Sequence, residues 1–176
     1  MAAARGELEA WLGDPEGALA LLLLLDQIPR NIFRDSAHSW ATDGLARHYA
    51  NRAIEAGHDQ AFDVALRAFF YLPFEHSEDL ADQERSVALF EAADDKTFMS
   101  YAIGHREAIR KFGRFPHRNA ALGRVNTAEE QAWLDAGGGR PSAVCSSPLE
   151  AICSMMSQPP TSSPPMYSCG IVGQSP

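Results

Sequence analysis

Apolar residues recur at every third or fourth position along most of the chain, which is the spacing of one face of an α-helix. No segment alternates apolar and polar residues as a half-buried strand would. Two helical faces are clear, formed by Ala41, Leu45, Tyr49 and Ala53 and by Phe98, Ala102, Ile109 and Phe112. The pattern predicts an all-α fold of antiparallel helical hairpins.

Capping residues and prolines set the limits of six predicted helices. Asp14 as N-cap and Pro15 in the first turn open the first helix, and Pro29 follows its predicted end. Pro73 is predicted to break the third helix. The segment TAEE, residues 127–130, fits a capping box at the start of the sixth. The predicted segments are 14–27, 36–56, 59–72, 77–93, 94–112 and one that begins at 127.

The composition favours one helical domain followed by a low-complexity tail. With 176 residues, 45% of them hydrophobic and 22% charged, the chain is large enough for one substantial core. Gly137, Gly138 and Gly139 mark a boundary, and from Pro141 to Pro176 Glu150 is the single charged residue among Ser, Pro and Cys. We therefore predict a domain over residues 1–139 and a disordered tail over 140–176.

Charge and hydropathy narrow the possible partners. A formal net charge of -8 argues against a nucleic-acid or anionic-membrane surface. The longest apolar run, Ala18 to Leu25, is well short of the roughly 20 residues of a membrane span, and the acidic start lacks a signal peptide's basic opening. We expect a cytoplasmic protein. The cysteines, Cys145, Cys153 and Cys169, match no zinc spacing, and we expect neither metal nor cofactor.

Four long segments carry a resemblance to a known family. They read LLLLDQIPRNIFRDSAHSWATDGLA, FFYLPFEHSEDLADQERSVALF, HREAIRKFGRFPHRNAALGR and TAEEQAWLDAGGG. Over about residues 18–139 the chain resembles the mostly bacterial domain of unknown function family numbered 924. The resemblance implies a tetratricopeptide-like superhelical array and no established activity. A Trp- and Phe-rich opening stretch usual in the family is largely absent before Trp11, so the chain is expected to be N-terminally short.

The first polar segment, LDQIPRNIFR, places charge at the end of an apolar helix. Asp26 follows the apolar run and needs a partner, because a helix C-terminus disfavours a buried anion. Arg30 and Arg34 are the nearest cations, and a structural salt bridge would brace the turn. Alternatively both arginines, with Asn31, clamp a ligand carboxylate or phosphate.

The second polar segment, FYLPFEHSED, contains the candidate catalytic residues. Ser77, Glu78 and Asp79 fit a helix start, where capping and the helix dipole favour them. Glu75 and His76 have no such explanation. A histidine beside a carboxylate can transfer protons near neutral pH, so these two residues are the predicted acid-base pair.

The third segment, FGRFPHRN, adds the remaining ligand-binding candidates. His117, Arg118 and Asn119 follow a proline in a loop, where binding residues are common. His105 lies on the apolar stripe of the fifth helix and is either a core histidine or a ligand-binding residue. The complete predicted ligand-binding set is Arg30, Asn31, Arg34, His105, Arg114, His117, Arg118 and Asn119.

Charge is also segregated along the second half of the chain. Carboxylates dominate residues 75–95, and basic residues dominate residues 105–124. If the fourth and fifth helices pair antiparallel, these blocks form an ion-pair network of weak individual links. The alternative is an electropositive pocket lined by Arg30, Arg34, Arg114 and Arg118.

Two functional classes follow from these residues. The preferred hypothesis is a helical binding module for a small anionic ligand or an acidic peptide. The alternative is a hydrolase or lyase in which Glu75 holds His76 as base and Arg30 and Arg118 stabilise negative charge. A purely structural protein is a second alternative. Convergence of these residues on an enclosed void would favour catalysis, and an open groove would favour binding.

Overall fold

The computed structural model describes residues 1–139, which are helical and contain no β-strand. The helices are α1 (Pro15–Leu22), α2 (Ile28–Ile32), α3 (Asp43–Glu55), α4 (Val64–Glu75), α5 (Leu80–Ala92), α6 (Lys96–Phe112) and α7 (Ala128–Asp135). A π-helical turn, Leu23–Gln27, joins α1 to α2. The all-α prediction is confirmed, and a tetratricopeptide-like arrangement is compatible with it. The predicted tail and its three cysteines lie outside the described residues.

Short 3₁₀ turns connect the longer helices. They are Ala3–Arg5, Glu9–Gly13, Ala37–Trp40, His58–Ala61 and Pro116–Arg118. The second and third predicted helices were therefore too long at their starts, because the 3₁₀ turns carry the same local residue preferences as a first helical turn. No helix within residues 1–139 is long and apolar enough to cross a membrane.

Several predicted helix starts are correct to within a few residues. The Asp14 carboxylate accepts the Gly17 N–H at 2.8 Å, as an N-cap should. Thr127 and Glu130 form the predicted reciprocal capping box. The helix α6 is capped by Asp95 instead of Asp94, because Asp94 has a φ of 51° and lies in the left-handed region.

Both proline-based predictions of a helix end are wrong. Pro29 lies in the first turn of α2, where its missing N–H is not needed, because the preceding π turn has already interrupted the regular hydrogen bonding. Pro73 lies inside α4, which continues to Glu75. The packing of Phe70 and Phe74, both fully buried, outweighs the roughly 3 kcal/mol that an interior proline costs.

The core surrounds α4, whose last eight residues are all buried. Leu21 and Leu25 from the first helical segment, Ala50 from α3 and Phe90 from α5 contribute to the main cluster. A smaller cluster of Ala108, Ile109 and Phe115 packs against Trp133 of α7. Because α4 is central, its C-terminal end lies among several other segments, and this is where the polar candidates meet.

Candidate functional site

Asp26 lies at the centre of a buried charged cluster. Its side chain is 2% exposed, and its Oδ1 lies 2.8 Å from His76 Nδ1 and 2.9 Å from Arg30 Nη1. Gln27 Nε2 donates to the other oxygen at 2.5 Å. Burial alone would raise the pKa of Asp26, but Arg30 and His76 outweigh it and lower that pKa far below its ordinary value. Asp26 is therefore an anion, held within a π turn of the kind frequent at functional sites.

Arg30 joins Asp26 to a second buried carboxylate. Its Nη2 donates to both oxygens of Asp43, each at 2.9 Å, and Asp43 begins α3. Burial raises the pKa of Asp43, and Arg30 opposes this rise. The Asp26–Arg30 bridge expected from the sequence is present. Arg34, its other predicted partner, is exposed.

Arg118 enters the same cluster from the loop after α6. It is 6% exposed, and its Nη2 donates to the backbone carbonyl of His76 at 2.9 Å. Its Nη1 lies 3.6 Å from Asp43 Oδ2, and its guanidinium lies over the rings of Trp40 and Phe115. The buried Nε has no hydrogen-bond partner. Burial lowers the pKa of Arg118 to about 10, so Asp43 does not fully compensate its charge.

Glu75 does not hold His76, contrary to the sequence prediction. Consecutive residues in the last turn of a helix point about 100° apart, so the two side chains meet different segments. Glu75 is 2% exposed, and its Oε1 lies 2.7 Å from His105 Nδ1 in α6, without hydrogen-bond geometry. The rings of His76 and His105 meet edge to face with centroids 6.4 Å apart. Two histidine–carboxylate pairs are therefore adjacent.

Three other predicted ligand-binding residues are hydrogen-bonded to neighbouring parts of the fold. Arg114 makes a bidentate pair with Glu130, at 2.6 and 2.8 Å, and so anchors α7. Asn119 is fully buried and donates to Asn126, and Asn31 donates to the Gln27 carbonyl. These contacts hold the fold together.

His117 lies beside the cluster and is exposed. Its ring is 5.4 Å from that of Phe115, and partial burial together with Arg118 lowers its pKa. Of the four arginines predicted to line one pocket, Arg30 and Arg118 share a site, Arg114 pairs with Glu130 instead, and Arg34 is exposed.

The two charged blocks pair largely with each other. Glu84 of α5 bridges to Arg106 and Arg110 of α6, and Glu78 makes a bidentate pair with Arg124. Glu84 and Arg110 are both exposed to solvent, so these links contribute little individually to stability. The ion-pair interpretation therefore describes this part of the molecule.

An open groove of about 310 Å³ lies elsewhere, at the turn between α5 and α6. Phe90, Asp95, Met99 and Ile103 are among its lining residues, and none of the charged cluster belongs to it. The residues 1–139 contain no group of three or more potential metal ligands.

Sequence reasoning missed Asp43 and Trp40 as members of the cluster. Asp43 has the position of an ordinary first-turn carboxylate, and Trp40 that of a core aromatic residue. Only the packing of α3 against the end of α4 shows that both face Arg118. The one local signal was the isolated buried carboxylate at Asp26, which required partners from distant segments.

The fold and the cluster define an all-α protein with a buried histidine–carboxylate–arginine network. The sequence matches the model of the bacterial family of unknown function DUF924 over residues 1–138, and the chain belongs to this family. The match confirms the resemblance and extends it from about residue 18 to residue 1.

A solved structure of a protein of unknown function, ATU0120 from Agrobacterium tumefaciens, is similar to this chain. The two sequences are 52% identical, the TM-score is 0.75, and the alignment covers 77% of this chain and 76% of that one. No curated protein matches the sequence.

Proposed function

We propose that this protein is a binding module for a small anionic molecule, and that Arg118 provides the principal contact. The observation that carries the proposal is the incomplete pairing of this buried cation. Its guanidinium has five N–H donors, makes one hydrogen bond to a carbonyl, and lies 3.6 Å from its nearest carboxylate oxygen. An anionic oxygen would supply the missing acceptor for Nε.

The other arginines of the region contrast with Arg118. Arg30 has two carboxylates within 2.9 Å, Arg114 is matched bidentately by Glu130, and Arg124 by Glu78. Their charges are neutralised by the protein itself. An added anion therefore gains most at Arg118, where burial has removed water without providing an equivalent partner.

The surroundings of Arg118 favour a small anion. The guanidinium is held between Trp40 and Phe115, which fixes its plane and its donor directions before any ligand arrives. Asp43 and Asp26 repel further negative charge near the cluster, so a molecule with one carboxylate or one phosphate group fits better than a polyanion. An acidic peptide would reach the site through one carboxylate only.

The test is a thermal-shift series on the full chain with inorganic phosphate, acetate and citrate. Binding to the folded state adds about 2.7 kcal/mol when the ligand is at 100 times its Kd, so the midpoint rises with concentration. We expect a saturable rise with phosphate or acetate that is absent in Arg118→Met.

The matched control is Arg114→Met, which removes an arginine that Glu130 already neutralises and leaves Arg118 in place. It should keep the saturable shift. Equal shifts in both variants would indicate a nonspecific salt effect and refute the site. An absence of any shift in the wild-type protein would favour the purely structural interpretation.

A further inference from the structure

Two histidine–carboxylate pairs face each other at the C-terminal end of α4. In the first, Asp26 is joined to His76 Nδ1 at 2.8 Å with hydrogen-bond geometry. In the second, Glu75 Oε1 lies 2.7 Å from His105 Nδ1. Both carboxylates are almost fully buried, whereas the histidine side chains are 15% and 33% exposed. Each pair therefore has a buried anion inside and an imidazole that reaches the surface.

In both pairs the imidazole turns its Nδ1 toward the carboxylate. An ionised carboxylate accepts hydrogen bonds, so Asp26 places the proton of neutral His76 on Nδ1. Glu75 Oε1 lies 2.7 Å from His105 Nδ1 without hydrogen-bond geometry, and at this distance a proton on Nδ1 avoids repulsion between two lone pairs. Neither Nε2 has a hydrogen-bond partner among residues 1–139, and neither is among their buried unpartnered atoms. Both Nε2 lone pairs are therefore directed away from the carboxylates and accessible to solvent.

We propose that His76 and His105 form a general acid–base pair that transfers protons on the anionic molecule bound at Arg118. One Nε2 accepts a proton from an acidic group of that molecule or from a water beside it. The other ring, protonated, returns a proton to a second atom. Asp26 and Glu75 are positioning residues, because each stabilises the imidazolium of its own histidine.

The position of Arg118 connects this pair to the anion site. Arg118 donates to the carbonyl of His76, and both Arg118 and His105 contact Phe115, over its face and at a ring-centroid distance of 5.4 Å. Arg118 therefore contacts the backbone of His76 and shares Phe115 with His105, and the proposal places the anion in this common region. The inference rests on the proposed anion site for its substrate, but the reactivity of the two Nε2 atoms is measurable without any anion.

Metal binding fits the same histidines less well. Carboxylate–histidine pairs also occur in metal sites. Here, however, Arg30 and Arg118 carry positive charge into the same network, and the described part of the chain holds no set of three metal ligands. Proton transfer needs only the two Nε2 atoms and a bound substrate.

The first test uses the unmodified full chain and needs no substitution. Long-range ¹H–¹⁵N correlation spectra identify which ring nitrogen of each neutral histidine carries the proton. We expect His76 and His105 both to be protonated at Nδ1. A neutral ring that carries its proton on Nε2 and none on Nδ1 would overturn the proposal, since its Nε2 could not accept a proton.

The second test measures the nucleophilicity of Nε2 with diethyl pyrocarbonate, read residue by residue by peptide mass spectrometry. Nε2 attacks a carbonyl carbon, the bond to the ethyl carbonate leaving group breaks, and Nδ1 releases its proton. His48, exposed on α3, is the reference histidine. We expect His76 and His105 to react faster than His48 although they are less exposed.

Isosteric variants separate the two pairs. Asp26→Asn should slow His76 at least roughly tenfold and leave His105 unchanged, and Glu75→Gln should do the reverse, because a neutral amide does not stabilise the positive charge that develops on the attacking ring. Rates at or below that of His48 in the wild-type protein, or rates insensitive to both substitutions, would refute the pair. If either variant fails to fold, the wild-type tautomers and rates decide.

Inorganic phosphate then distinguishes this inference from the proposed function. Protection of both histidines by phosphate, lost in Arg118→Met, supports the two together. If both histidines react fast with diethyl pyrocarbonate in a carboxylate-dependent way, but phosphate neither protects them nor shifts the thermal midpoint, the anion site is refuted and the acid–base pair stands. If the histidines react slowly but phosphate still raises the thermal midpoint, the acid–base pair is refuted and the binding module stands.

Discussion

Replacing Arg118 with methionine should leave the fold as stable as the wild type or make it more stable. Burial lowers the pKa of Arg118 from its ordinary value to about 10. A cation whose pKa falls on folding destabilises the folded state at every pH below the lowered value, because the unfolded chain holds the proton more tightly. This difference corresponds to about 3 kcal/mol at neutral pH.

Methionine removes that penalty but also a hydrogen bond. The carbonyl of His76 loses its donor, which costs about 1 to 2 kcal/mol. The unbranched thioether keeps much of the contact with Trp40 and Phe115, and sulfur packs well against aromatic rings. Asp43 keeps its bidentate partner Arg30 and is not left unpaired. The net change in the free energy of unfolding should lie between zero and a gain of about 2 kcal/mol.

Urea denaturation followed by far-UV circular dichroism measures this change. Arg114→Met serves for comparison, because it is expected to lower stability. Glu130 raises the pKa of Arg114, so its charge stabilises the fold and its removal should lower the midpoint. A loss of more than about 2 kcal/mol in Arg118→Met, or equal losses in both variants, would refute the argument that the charge of Arg118 opposes folding.

Three further predictions concern the fold. Phe90→Ala should lower the free energy of unfolding by about 3 to 5 kcal/mol in the same assay, because Phe90 is fully buried between aromatic neighbours. Asp95→Ala should cost about 1 to 2 kcal/mol in thermal denaturation, since Asp95 caps two N–H groups of α6, whereas exposed Asp94→Ala should cost less. Arg114 and the Thr127 N–H lower the pKa of Glu130 to about 2, so its contribution is complete above the ordinary carboxyl pKa and lost as the pH falls toward about 2. The stability difference between wild type and Glu130→Gln should shrink over that range in acid titrations followed by circular dichroism.

The helices were predictable where local chemistry decides them. Asp14 and Thr127 cap helices through contacts three residues away, and such contacts are visible in a sequence. The predictions based on proline were wrong because packing against distant segments can outweigh the cost of a proline inside a helix. Pro73 is tolerated inside α4 because that helix is central, and its neighbours Phe70 and Phe74 are held by the core.

The candidate site was predictable as a set of segments but not as a set of pairs. Asp26 and Arg30 lie one turn apart, so their bridge follows from spacing. Glu75 and His76 are adjacent in the sequence, yet each pairs with a residue at least 30 positions away. Asp43 could not be assigned, because nothing near it indicates that it meets Arg30 and Arg118.

The cluster joins four segments distant in the sequence, around Asp26, Asp43, His76 and Arg118. Three of these four have close partners that match their charge or hydrogen-bonding capacity. If the network served stability alone, the fourth would be expected to have one as well, because a buried cation without full compensation opposes folding. A residue that destabilises its own fold is better explained by a function that needs the incompletely paired charge. Stability measurements on Arg118 variants and reactivity measurements on His76 therefore both test whether the cluster has a function beyond stabilising the fold.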